Sequence, residues 1–204
     1  MKFYRPLPLD EALNLNLKDI LVSKTDKNGK ILYVNDSFCS VSGYTPNEVI
    51  GAPHNIIRHP DMPRAIFYLM WQTIQGGQNI TIIVKNLAKT GHYYWVTTDF
   101  EIHKNSGGEI ESFIAFRRPA SKKAIQAIEV LYSTLLKIEK QHGMESSLVY
   151  LKGYLEERHL TYHEFMEGIV KPKSLMERLF SVMKKRFLHS DNNTGYSSEH
   201  REAV

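Results

Sequence analysis

The stretch NITIIVKNLAKTGHYYWVTTDFEIHKNSGGEIESFIAFRR (79–118) decides the fold class. It reads as three strands, 79–87, 92–102 and 110–118, each rich in β-branched and aromatic residues. Lys89-Thr90-Gly91 and Asn105-Ser106-Gly107-Gly108 separate them, and both are turn-forming strings. Working back along the chain, Asp61 is placed to cap a helix in which Ile66, Leu69, Met70 and Ile74 recur at helical spacing, and Gly76-Gly77 ends it. Two shorter helical pieces come before. One covers 37–42 and closes at Gly43; the other opens on the capping box Thr45-Pro46-Asn47-Glu48 and closes at Gly51. Further back, DILVSK (19–24) and KILYVN (30–35) flank Asn28-Gly29, a strong hairpin signal. The order β-β, short helices, β-β-β predicts an α+β domain: a five-stranded antiparallel sheet with short helices on one face.

Past Pro119 the pattern changes to helix alone. In 121–140, Ile125, Ile128, Tyr132, Leu135 and Ile138 form a near-heptad stripe, which predicts a packing surface for another helix in a dimer or a partner. Gln141-His142-Gly143 breaks that helix, a second covers 146–158, and the capping box Thr161 to Glu164 opens a third that ends by Gly168 and Pro172. A fourth is expected at 174–188. It carries Leu175, Leu179, Val182, Met183 and Phe187 beside Arg178, Lys184, Lys185 and Arg186. Such a helix packs on its neighbours or makes weak contact with an anionic membrane surface. The expected organisation is an N-terminal cap (1–17), the α+β domain (18–119), a helical region (120–188) and a disordered polar tail (189–204).

Composition narrows the function classes. Among 204 residues there are 26 Lys and Arg against 22 Asp and Glu, so the net charge of +4 leaves no footprint for nucleic acid. Cys39 is the single cysteine, which removes disulfides and cysteine metal clusters and suggests a reducing cytoplasm. The N-terminus lacks a secretory signal and no apolar run reaches membrane-spanning length, so peripheral placement at the inner membrane face is the most that is expected. No nucleophile elbow, Walker loop or dinucleotide fingerprint occurs, and no enzyme is expected.

The densest chemistry lies in PHNIIRHPDMP (53–63). Its prolines stiffen a loop whose Arg58, with backbone donors nearby, suits an anion such as a phosphate; alternatively Arg58 and Asp61 pair and staple the loop. Asn35 and Asn86 end β-rich runs, where an amide either reads a heterocycle edge or caps a turn. Trp71 either stacks on a planar ligand or packs in the core. Cys39, beside Phe38 and Val41, reads as a buried small apolar residue. His159 and His163 have i, i+4 spacing, but the capping box between them argues against a metal site.

Residues 43–118 resemble the PAS domain of the aerotaxis receptor family. The segments that carry the resemblance are GYTPNEVIGAPHNIIRHPDMP (43–63), the helix leading to Trp71, VKN (84–86), KTGHYYWV (89–96) and FRRPAS (116–121). It extends weakly into 122–140. The resemblance implies a PAS fold holding a non-covalent FAD that follows the state of the respiratory chain, with Asn35, Arg58, His59, Asp61, Trp71 and Asn86 as flavin-binding residues. It also implies an energy-taxis sensor that signals to a separate membrane-bound, methyl-accepting chemotaxis transducer. The chain departs from the family in one respect: Asn79-Ile80 stands where those receptors often carry Pro-Trp. It also lacks the Asn-Cys-Arg-Phe string of light-sensing flavin PAS domains. Two other readings stay open at this point. One is a haem-binding oxygen sensor with His59 or His92 as axial ligand; the other is a cofactor-free PAS homodimerisation module.

Overall fold

A computed structural model describes residues 5–170 and 183–184. The rest of the helix expected at 174–188, the tail 189–204 and residues 1–4 lie outside them. The described elements are β1 (Leu21–Asp26), β2 (Ile31–Val34), α1 (Asp36–Ser42), α2 (Pro46–Val49), a 3-10 turn (His54–Ile57) and α3 (Arg64–Gln75). These are followed by β3 (Ile80–Leu87), β4 (Tyr93–Lys104), β5 (Ile110–Pro119), α4 (Lys122–Glu156) and α5 (Tyr162–Val170).

The five strands form one sheet in the order β2-β1-β5-β4-β3, and every neighbouring pair is antiparallel. Strand alternation then sorts the side chains onto two faces. Ser23, Thr25, Val84, Asn86, Thr98, Phe100, Phe113, Ala115 and Arg117 share the face covered by α3 and the 3-10 turn. Trp95, of opposite parity to Thr98 and Phe100, lies on the other face. There its ring stacks on Tyr132 of α4, with centroids 6.5 Å apart and planes at 28°. Tyr132 Oη donates to the carbonyl of Ile83, 2.8 Å away. The sheet is therefore a filled layer between α1–α3 on one side and the start of α4 on the other.

This placement corrects the expectation for 121–140. Ile128, Tyr132 and Leu135 are buried within the chain, against its own sheet and α5, and are not presented to a second copy or partner. The physical reason is the sheet itself. Its second face carries Ile83 and Trp95, and an uncovered apolar face of that size would remain in water. The solvent side of the helix is marked by Val130, 71% exposed.

Two glycines fix local geometry. Gly143 has φ 85° and ψ 171°, so α4 is two helical pieces joined at a kink, as the Gln141-His142-Gly143 break predicts. Gly91 has φ +91°, and a Cβ there would come within 2.6 Å of the Leu7 carbonyl. This close approach lets the N-terminal segment lie along β4, with Leu9 N–H donating to Gly91 (2.8 Å) and Leu13 N–H to Tyr93 (2.7 Å). The capping box of α5 forms in full: Thr161 N–H donates to Glu164 Oε2 (2.8 Å), and Glu164 N–H to Thr161 Oγ1 (3.2 Å).

Candidate ligand cavity and its basic mouth

Between the sheet and α3 lies a cavity of about 470 Å³, within the range of small-molecule sites. Helix α3 turns Phe67, Met70, Trp71 and Ile74 toward it because these residues recur at helical spacing. The Trp71 ring stands edge-on to Phe113, with centroids 5.7 Å apart. The lining mixes apolar and aromatic side chains with polar and charged ones, among them Ser23, Thr25, His54, Asn86, Thr98 and Arg117.

The most unusual of these is Arg117. On β5 it follows Phe113 and Ala115 on the cavity face, and it is only 2% exposed. Its Nη1 donates to Ser23 Oγ (2.9 Å) and to the Ala115 carbonyl (3.3 Å), and its Nη2 donates to His54 Nε2 (2.9 Å). Ser23 Oγ lies 2.9 Å from the same Nε2. With two donors converging on it, Nε2 is the unprotonated nitrogen and His54 is neutral. Burial holds the His54 pKa well below the ordinary value, and the neighbouring guanidinium adds to the effect. Burial likewise brings Arg117 down to about 10. Among the described residues no carboxylate pairs with Arg117. An unpaired buried cation is costly, and a ligand with an electron-rich edge would relieve that cost.

Asn86, on the neighbouring wall, is also buried. It approaches Tyr94, yet its Nδ2 has no hydrogen-bond partner of good geometry. The edge strand that carries it is covered by the loop ahead of α3. Arg58 bridges to Asn86 through the backbone, and the Lys85 N–H reaches Met62 Sδ at 3.3 Å.

Arg58 marks the mouth. It lines the inner cavity and also an outer cleft shared with Arg5, Arg64, Glu139 and Lys140. Its guanidinium lies 4.5 Å from the centre of the Phe67 ring, and Nη2 donates to the Met62 carbonyl (2.8 Å). The staple expected between Arg58 and Asp61 is not made: Asp61 Oδ2 instead accepts from Lys85 Nζ at 2.9 Å. Burial lowers the Arg58 pKa; Glu139 raises it, and Arg5 and Arg64 lower it further.

Of the six residues expected to bind flavin, the fold brings Arg58, Trp71 and Asn86 together on the cavity wall. Asn35, His59 and Asp61 do not line it. Asn35 is the N-cap of α1: its Oδ1 accepts from Phe38 N–H (3.0 Å) and Val22 N–H (2.9 Å), and its Nδ2 donates to the Ile20 carbonyl (2.8 Å). Three hydrogen bonds of the amide are thus spent in joining β1 to α1. His59 is buried edge-on to Tyr93, and its Nδ1 accepts from the Asp61 N–H at 3.1 Å. Asp61 points outward, its side chain 57% exposed. His92 pairs with Thr90 and Glu11 near the surface, so neither histidine expected as a haem ligand lines the cavity. Cys39 is half-buried in α1, away from the cavity lining, and burial raises its pKa.

Ser23, His54 and Arg117, which meet on this wall, were not among the sequence candidates for the site. A legible signal did exist for Arg117. In IESFIAFRR, period-two alternation puts it on the inward side with Phe113 and Ala115, whereas Arg118 faces out and pairs with Asp99 at 2.9 Å.

A cavity enclosed between an antiparallel sheet and a layer of short helices defines a ligand-enclosing α+β domain. Residues 31–117 match the PAS fold family. Over 135 residues, 66% of this chain and 26% of the relative, it is 40% identical to the aerotaxis receptor of Escherichia coli (strain K12). It is 30% identical to a nitrogen fixation regulatory protein of Klebsiella pneumoniae over 102 residues, 50% of this chain and 21% of that protein. Among solved structures it is similar to a light-oxygen-voltage domain studied with a flavin analogue, at a TM-score of 0.49 and 17% identity, covering 54% of this chain and 83% of that one. The chain spans about a quarter of the length of the curated relatives it matches. No helix among the described residues is long and apolar enough to cross a membrane.

Proposed function

We propose that this chain is a flavin-binding redox sensor of energy taxis, which holds FAD in the cavity and passes its state to a membrane-bound, methyl-accepting chemotaxis-type transducer. The observation that carries the reading is the guanidinium of Arg117, buried on the cavity wall with no carboxylate partner among the described residues. The unpartnered Asn86 Nδ2 supports it from a second wall. A planar heterocycle with carbonyl acceptors along one edge suits both groups, and the similarity to an aerotaxis receptor points to the flavin class. The bound flavin would supply reversible uptake of electrons. The chain's own residues orient it and respond to it. Arg117 stabilises negative charge at the inner edge, Asn86 donates to the ring edge, Trp71 and Phe113 fix the plane, and Arg58 holds the anionic tail at the mouth. No catalytic step is assigned. In this role the protein works in the cytoplasm, close to the inner face of the membrane.

The test is the absorption spectrum of the purified protein after reconstitution with FAD. Flavin bands that co-elute with the protein are expected. A Soret band, or no chromophore with or without added FAD, would replace this reading with a haem sensor or a cofactor-free interaction domain.

A further inference from the structure

The mouth carries a group that faces the wrong way for a simple anion site. The outer cleft is lined by Arg5, Arg58, Arg64 and Lys140, and Glu139 is its single lining carboxylate. Among the described residues no guanidinium hydrogen bond to Glu139 is found. Its Oε2 accepts from the Arg64 N–H (2.8 Å) and its Oε1 from the Ala65 N–H (2.7 Å), the first two backbone donors of α3. Asp61, which feels Lys140, is held by Lys85 instead. Four cations thus share one cleft with a single carboxylate, which α4 supplies and which the start of α3 holds.

We propose that this cleft is the subsite for a diphosphate-bearing ligand tail, and that Glu139 occupies it as an internal stand-in which the tail displaces. The inference rests on the flavin reading for the ring, but not for the anion. Arg58 lines both the inner cavity and the cleft, so a ring inside and a charged tail outside can belong to one molecule. A diphosphate offers more acceptor oxygens and more charge than a carboxylate to the same N–H groups and guanidinium groups. Helix α4 registers the exchange. Glu139 lies one turn before the kink at Gly143, and Met144, just past it, lines the inner cavity. A ligand therefore meets α4 on both sides of its joint: the tail frees the helix at Glu139, and the ring presses on Met144. Glu139 is in this sense a specificity residue. It lowers affinity for phosphorylated ligands alone, and it ties their binding to a movement of α4.

The experiment compares the full chain with Glu139→Gln, which keeps one acceptor for the α3 donors and removes the charge. Apoprotein of each is titrated with FAD and with riboflavin, which shares the ring and lacks the phosphates, and with inorganic pyrophosphate followed by thermal shift. The variant is expected to bind FAD about tenfold more tightly, the scale of one charge removed from a half-exposed site, with riboflavin affinity unchanged. Pyrophosphate should stabilise the variant more than the wild type. If FAD and riboflavin affinities move together, or neither moves, Glu139 is a structural cap and the inference is overturned. If the wild type binds neither flavin, the flavin reading fails on its own. The pyrophosphate arm then decides the cleft: preferential stabilisation of Glu139→Gln upholds the anion subsite, and no stabilisation of either protein overturns it.

Discussion

The two ends of the cavity each present a guanidinium, and they differ in what surrounds it. Arg117 at the inner end is 2% exposed and meets only neutral groups: a serine hydroxyl, a carbonyl and an uncharged imidazole. Arg58 at the mouth is partly exposed, stacks on Phe67, and shares its cleft with three other cations and Glu139. The inner charge is fixed, unscreened and tied to β5. The outer charge belongs to a cluster that water and salt can reach. One cavity thus holds two kinds of charge: a fixed, desolvated one at the inner end, suited to the edge of a bound ring, and a screened one at the mouth, suited to an anionic tail.

The largest effect should come from breaking the inner end. In Arg117→Met the apolar chain fills much of the same space without the charge. Losing a desolvated charged contact costs roughly 2–5 kcal/mol of binding, so FAD affinity should fall at least about thirtyfold. The stability of the apoprotein should stay level or rise, because replacing a buried ionic group by an apolar one is often neutral or stabilising. Flavin titration and urea unfolding of the same preparation measure both quantities. Lost binding together with lost apoprotein stability would mean that Arg117 is only a structural tether.

Acid should act next, in part through the inner end at His54 and in part through His59 beside Tyr93. His54 is held well below its ordinary pKa by burial and then by Arg117. His59 is lowered to about 4 by burial and then by Lys85, with Asp61 opposing. Both stay neutral in the fold while the unfolded chain protonates near pH 6.5. The stability they contribute is therefore complete above that pH and is lost as pH falls toward the folded values. Each histidine adds a slope approaching ~1.4 kcal/mol per pH unit. Unfolding midpoints of the apoprotein at pH 7, 6 and 5 should show it, and His54→Gln should remove about half of the slope. A slope unaltered in that variant would assign the acid sensitivity elsewhere.

The same contrast shows which parts of the molecule the sequence carries on its face. The three-strand run 79–118, the hairpin at Asn28-Gly29 and the break at Gly143 are local signals, set by periodicity and by turn chemistry, and the structure has them all. Asn35 could be read two ways because an amide caps a turn and meets a ligand with the same atoms; only the β1–α1 geometry decides for the cap. The apolar stripe of α4 signals that something covers it, and the pattern is the same whether the cover is another chain or the sheet's own second face. His54 and Ser23 carry no local signal, since their meeting with Arg117 depends on how the loop folds over β1 and β5.

A smaller effect belongs to the mouth. Arg58→Gln keeps a side-chain N–H donor, though a shorter one, and loses the charge in a cleft where Arg5, Arg64 and Lys140 remain. FAD affinity should fall about tenfold at low salt, and the deficit should shrink as salt rises, because exposed charges are screened within ~8–10 Å. Riboflavin affinity should change little. A salt-independent loss shared by both ligands would place Arg58 with the ring and erase the distinction between the two ends.

The smallest effect is expected at Asp61. The resemblance to the aerotaxis receptor family made it a ligand candidate, but the fold turns it outward, and it lines neither the cavity nor the outer cleft. Its carboxylate pairs with Lys85 at 2.9 Å while its side chain is 57% exposed. Lys85 has a second contact: its Nζ lies 4.2 Å from the centre of the Tyr93 ring. An exposed ion pair is worth about 0–1 kcal/mol, and a lysine that keeps an aromatic neighbour loses only part of that. The Asp61 charge also opposes the lowering of the His59 pKa, so removing it should push His59 lower still and not charge it. Asp61→Asn should therefore shift unfolding free energy by roughly 0.5 kcal/mol or less and leave FAD and riboflavin affinities within about twofold of wild type. A large and selective loss of FAD binding in this variant would return Asp61 to the site, and would mean that the loop swings inward when the ligand enters.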